Sequence, residues 1–149
     1  MNSQHPHLLV DFVDVFCEQN YFSVEDMLSV ISAGKRLGLK AKVHVNQFNA
    51  MNGIAAAVEA GALSVDHLEV MTESDLIALK SGDTIPTALP GCSFYLRIPY
   101  APARQIIDAD LPLAIASDFN PGSSPSINPE FNLSLACIQL RMLPEEAMN

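Results

Sequence analysis

Residues 41–48 read AKVHVNQF, residues 63–70 read LSVDHLEV and residues 113–125 read LAIASDFNPGSSP. Each is a β-rich apolar run that ends on a residue able to hold a metal: His44, His67 and Asp118. His44 and His67 lie 23 positions apart, and Asp118 follows 51 positions later. A strand with its crossover helix takes roughly 20 to 30 residues, so these gaps fit one such unit and then two. In a parallel barrel every strand C-terminus opens on one face, and that face carries the active site. Three strand ends of this kind would bring three side chains to one point. Imidazole together with carboxylate suits Zn2+ or iron, either Fe2+ or Fe3+.

Working outward, the chain alternates strand and helix throughout. The β-rich runs cover 12–17, 40–45, 63–66, 84–89 and 111–116. Ser23 and Asp26 form a capping-box pattern ahead of an apolar stripe that closes at Gly38. Helical patterns follow at 54–60, from Thr72 to before Gly82, at 101–109 and at about 129–142, and Pro144 stands at the first position of another. Residues 90–100 read as a loop able to wall a pocket. Strict alternation at this period indicates an α/β fold with a parallel sheet. An open doubly wound sheet places its ligand at one switch point between two strands. Site-like residues at three strand ends favour a (β/α) TIM-type barrel, here partial. Residues 1–10 form an N-terminal extension and 11–149 one barrel domain.

Composition narrows the function. Of 149 residues 49% are hydrophobic and 17% charged, which describes a globular chain. A net charge of −9 argues against nucleic acid and anionic membrane as partners. No apolar run approaches the roughly 20 residues of a membrane span. The start, MNSQHPHLLV, lacks a basic segment followed by an apolar one. Cys17, Cys92 and Cys137 are odd in number and widely spaced, as reduced thiols of a cytoplasmic protein are. Nucleotide-binding and serine-hydrolase motifs are absent. His5-Pro-His7 is not a barrel-strand ligand pair, because it straddles a proline and precedes the first β-rich run. The loop after Asp118, with Asn120, Gly122 and Ser123, offers amides and hydroxyls suited to a carboxylate or amide ligand. Gln47 joins it from the loop after His44, where its amide can donate and accept.

In the segments DFVDVFCE, AGKRLGLKAKVHVNQFN, GALSVDHLEVMT, DTIPTALPGCSF, IPYAPARQIIDA, LPLAIASDFNPGSSPS, SLACIQLRM and PEEAMN, the chain resembles imidazolonepropionase, the histidine-degradation hydrolase of the amidohydrolase superfamily. The resemblance implies strands four to eight of that barrel, cut at both sides. It implies that His44 and Asp118 ligate the metal, that Asp118 and His67 are catalytic, and that Gln47, Asn120, Gly122 and Ser123 contact the substrate. The implied reaction opens the ring of 4-imidazolone-5-propanoate to N-formimidoyl-L-glutamate. The family's first-strand H-x-H, which supplies two more ligands, has no match here, so little turnover is expected of the chain alone. The alternatives are a non-catalytic remnant of that fold, or another cyclic-amidohydrolase or deaminase specificity. Open sheet edges lead us to expect self-association or a homo-oligomer.

Overall fold

The computed structural model describes residues 10–148. His5, His7 and nearly all of the expected N-terminal extension lie outside the described residues. The elements run β1 (Phe12–Cys17), α1 (Val24–Arg36), β2 (Lys40–Val45), α2 (Gly53–Glu59), β3 (Ser64–His67), α3 (Glu73–Lys80), β4 (Ile85–Ala88), α4 (Pro90–Leu96), α5 (Ala103–Asp108), β5 (Ala114–Ile115), α6 (Pro129–Ile138) and α7 (Pro144–Ala147). The five strands form one sheet in the order β1-β2-β3-β4-β5, and every pairing is parallel. A doubly wound sheet reverses its order at a switch point, and this one does not. Winding in a single direction is how a barrel closes, so the sheet is the arc of a partial (β/α) barrel. β1 and β5 stand at its two edges.

Alternation along the strands sorts their residues onto two faces. Val13, Val15 and Cys17 of β1, Ala41, Val43 and Val45 of β2 and Val65 of β3 point to the helices, and most are fully buried. Close approach of α1 and α2 to this face depends on glycine. A Cβ on Gly34 would stand 2.4 Å from Val13 Cγ1, and one on Gly53 would stand 2.5 Å from Val45 Cγ2. The other face is polar. Phe16, His44, Asp66, Thr87 and Ala114 fall in one row across the strands, with Asp14, Lys42 and Ser64 in the row below. Asp66 is buried there and is compensated by Ser64 Oγ, which donates at 2.8 Å, and by Lys42 Nζ at 3.4 Å.

Local signals explain most boundaries. Ser23 and Asp26 cap α1 reciprocally, and Thr72 and Asp75 do the same for α3. Gly38 and Gly61 take the left-handed conformation just past α1 and α2. Three expectations need correction. Residues 90–100 are not a plain loop, because Pro90 opens α4, where its missing N–H costs nothing. β5 holds only Ala114 and Ile115 of the expected 111–116, since the sheet pairs just Thr87 and Ala88 with it. α6 stops at Ile138, well before 142, and Arg141 then turns left-handed.

Candidate metal centre

His44 sits on the polar face at the C-terminal end of β2, so ordinary strand geometry delivers it. His67 is different. Alternation places it with Val65, and its pairing partner Val45 points to the helices. Its backbone φ of 94°, followed by 71° at Leu68, breaks the alternation and swings the ring toward the barrel mouth. The imidazole then lies edge-on to His44 with ring centres 5.3 Å apart. Asp118 also has a left-handed backbone, at φ 49°, and turns its carboxylate back over the end of β5. Non-glycine residues held at such angles cost of order 1–3 kcal/mol each and gather at functional sites. The result is convergence: one donor atom from each of His44, His67 and Asp118 lies within 4.8 Å of the others.

Two carboxylates that sequence reading missed stand behind the imidazoles. Asp14 lies 3.0 Å from His44 Nδ1, leaving Nε2 to face Asp118 at 3.5 Å. Glu69 lies 3.3 Å from His67 Nδ1, leaving Nε2 to face Asp118 at 3.9 Å. A metal-binding histidine nearly always gives its second ring N–H to such an acceptor. Asp14 was legible as an acid inside the run FVDVFC, two positions before the residue that pairs with His44. Glu69 gave no signal, because only the turn at His67 and Leu68 brings it behind the ring. Burial works against charge on His44, but the hydrogen bonds to Asp118 and Asp14 outweigh it and hold the pKa up at about 10.

The donor set fits one ion. Tetrahedral ligands at about 2.1 Å are separated by about 3.4 Å. The 3.5 Å between His44 Nε2 and Asp118 Oδ1 matches that edge. His67 Nε2 stands farther out, 3.9 Å from Asp118 Oδ2, with all three donors within 4.8 Å of one another.

The other expected site residues surround this point with their polar groups already engaged. Gln47 is buried and its Nε2 donates to Cys92 Sγ at 3.3 Å. Burial pushes the Cys92 thiol up to about 11, so it stays protonated. In the loop after Asp118, the amides of Gly122 and Ser123 both donate to Asn120 Oδ1, at 2.9 and 2.8 Å. Asn120 Nδ2 in turn donates to Asp118 O at 2.8 Å. The amides offered to a ligand in the sequence reading therefore brace the metal-facing aspartate. A further group escaped notice: Glu18, just past β1, is fully buried and accepts from Phe48 N at 2.9 Å, Asn49 N at 3.3 Å and Asn49 Nδ2 at 2.9 Å. It pins the loop that carries Gln47.

No protein-family model matches the chain. The imidazolonepropionase of Christiangramia forsetii is 57% identical over 141 residues, covering 95% of this chain and 34% of that protein. The imidazolonepropionase of Flavobacterium johnsoniae gives the same identity and coverage, and that of Deinococcus radiodurans is 43% identical over 141 residues, 95% of this chain and 35% of its own. The chain thus spans about a third of the length of the curated relatives it matches. Among solved structures, Arabidopsis ADAL complexed with IMP superposes with a TM-score of 0.71 at 16% identity, covering 89% of this chain and 40% of that one. Aspergillus niger ochratoxinase gives 0.69 at 19% identity, with 93% and 37% covered. These likenesses show the fold alone, a portion of a (β/α) barrel. Over 141 residues, then, this chain is a homologue of the imidazolonepropionases and is built as the arc of a (β/α) barrel.

Proposed function

We propose that this chain supplies one wall of the active site of a metal-dependent hydrolase that opens the ring of 4-imidazolone-5-propanoate. The observation that carries the reading is the convergence of His44, His67 and Asp118 at the strand ends of a chain 57% identical to imidazolonepropionases. His44 and Asp118 would hold a Zn2+ or iron ion. A structural neighbour, an adenosine deaminase from Xanthomonas campestris, is described with bound zinc. When bound, such an ion lowers the pKa of water toward about 7 and so favours the nucleophile. Asp118 takes the proton of the attacking water as general base. Water oxygen bonds to ring carbon, the carbon–nitrogen bond breaks, and Asp118 returns the proton to the departing nitrogen. His67 orients the water and stabilises the charge that develops on the ring. Gln47, Asn120, Gly122 and Ser123 are the groups we expect to meet the substrate's amide and carboxylate, exchanging for them the hydrogen bonds they make to Cys92 and to one another. Among the described residues no helix is long and apolar enough to cross a membrane. The reading places the enzyme in the cytoplasm.

A chimera tests it. Residues 10–148 replace the matching segment of the F. johnsoniae enzyme, and ring opening is followed by proton NMR. Turnover is expected in the chimera and its loss, by about a thousandfold or more, in Asp118→Asn, a group asked to serve as both base and acid. A folded chimera without turnover, or full activity in Asp118→Asn, would overturn the reading.

The open edges of β1 and β5 extend the proposal to self-association, because unpaired strand edges recruit further strands. Sedimentation at tens of micromolar should show oligomers, and a monodisperse monomer would refute this.

A further inference from the structure

We propose that Glu69 and Ser93 are positioning residues for His67, holding its ring in the Nδ1–H form with Nε2 aimed at the space between His44 and Asp118. The inference rests on the reading that this space is the reaction centre.

Both partners are out of solvent: the Glu69 side chain is 0% exposed and that of His67 3%. Glu69 Oε1 receives Ser93 Oγ at 2.8 Å and stands 3.3 Å from His67 Nδ1. A carboxylate can only accept, so the ring nitrogen facing it must carry the proton. Ser93 is itself buried on α4 and donates to the same oxygen, Oε1, that faces the ring, while Oε2 is buried without a partner. The chain cannot swing Glu69 away. Past the left-handed turn, Val70 N donates to Asn46 O and Asn46 Nδ2 donates to Val70 O, each at 2.9 Å. Glu69 is thereby tethered between the β3 turn and the loop after β2.

A buried carboxylate is costly to maintain, and this one has a defined return. Imidazole free in water favours the Nε2–H form. In that form His67 would present an N–H to Asp118 and lose its lone pair toward the site. Glu69 reverses the preference. The counterpart at His44 is looser, since the Asp14 side chain is 47% exposed and can exchange its partner for water. The two imidazoles are thus held differently: one backed by a solvated acid, the other by a dry one.

The experiment is a long-range proton–nitrogen correlation spectrum of the whole chain, labelled with 15N-histidine. The His67 ring is assigned as the signal lost in His67→Asn. Expected in the unmodified chain is a protonated Nδ1 whose proton is shifted downfield and exchanges slowly with solvent. Expected in Glu69→Leu, with the fold checked by its backbone spectrum, is a shift to the Nε2–H form. An Nε2–H ring in the unmodified chain, a rapidly exchanging Nδ1 proton, or an unchanged tautomer in a folded Glu69→Leu would each overturn the proposal. If Glu69→Leu does not fold, the tautomer and exchange rate of the unmodified chain decide alone. None of these signals requires turnover. An inactive chimera would leave this inference standing, whereas an Nε2–H ring in a chimera that still opens the substrate would remove this inference alone.

Discussion

Replacing His44 with alanine should weaken Zn2+ binding by this chain by about a hundredfold or more. Structural zinc sites deliver about 10–16 kcal/mol over four ligands, so each ligand carries on the order of 3 kcal/mol. Asp14→Asn, which removes only the group behind the ring, should cost about 10- to 100-fold. His67→Ala should cost least, because His67 Nε2 is 3.9 Å from Asp118 where His44 Nε2 is 3.5 Å. Competition against a chromophoric chelator ranks the three variants, and a loss in His67→Ala equal to that in His44→Ala would contradict the assignment of ligands. Proton linkage gives a second readout. With its pKa held at about 10 in the metal-free fold, His44 must shed a proton to bind an ion at neutral pH. Apparent affinity should therefore climb about tenfold per pH unit between pH 7 and 9. In the metal-free chain the sign is opposite. The folded pKa lies above the ordinary 6.5, so the charged His44 stabilises the fold fully below 6.5, and that contribution is lost as pH rises through about 10.

The second large effect concerns stability. Glu18→Ala should destabilise the fold by about 2 kcal/mol, since it leaves the part-buried N–H donors of Phe48 and Asn49 without their acceptor. In urea, with a slope of roughly 1–3 kcal/mol per molar for a small domain, the midpoint should fall by about 0.7–2 M. Burial opposes the charge on Glu18, but the N–H groups of Phe48, Asn49 and Gln19 prevail and hold its pKa below the ordinary 4.5. Stability from this group is therefore present above 4.5 and lost as pH falls through the lowered value. Glu18→Gln should erase that acid dependence while keeping part of the midpoint, which separates the charge from the hydrogen bonds. An unchanged midpoint in Glu18→Ala would show that the loop at Phe48 is held by other means.

The strands were legible where the code is local. β1 and β2 begin and end where their apolar runs do, and the capping pair Ser23 and Asp26 sits where its spacing puts it. α4 was missed although Pro90 is a sound first helical residue, because Gly91 beside it reads equally well as a turn. The donor trio was legible because each member closes a β-rich run, and periodicity alone gives those runs a common end. What supports the trio was not. Glu69 depends on two left-handed residues, His67 and Leu68, and neither is a type that announces such a conformation. The hydrogen bond from Gln47 to Cys92, 45 positions away, was not legible either, because only the closed fold creates that pairing.

The sheet thins along its length, from six paired residues between β1 and β2 to two between β4 and β5. Amide hydrogen exchange should follow that taper, with protection deepest at Val43 and Val45 and shallowest past Ala114. The two imidazoles thus stand on the slowest-opening part of the molecule and the carboxylate on the quickest. Whatever steadies or frees the short strand before Asp118 sets how long the three groups stay together, without touching either histidine.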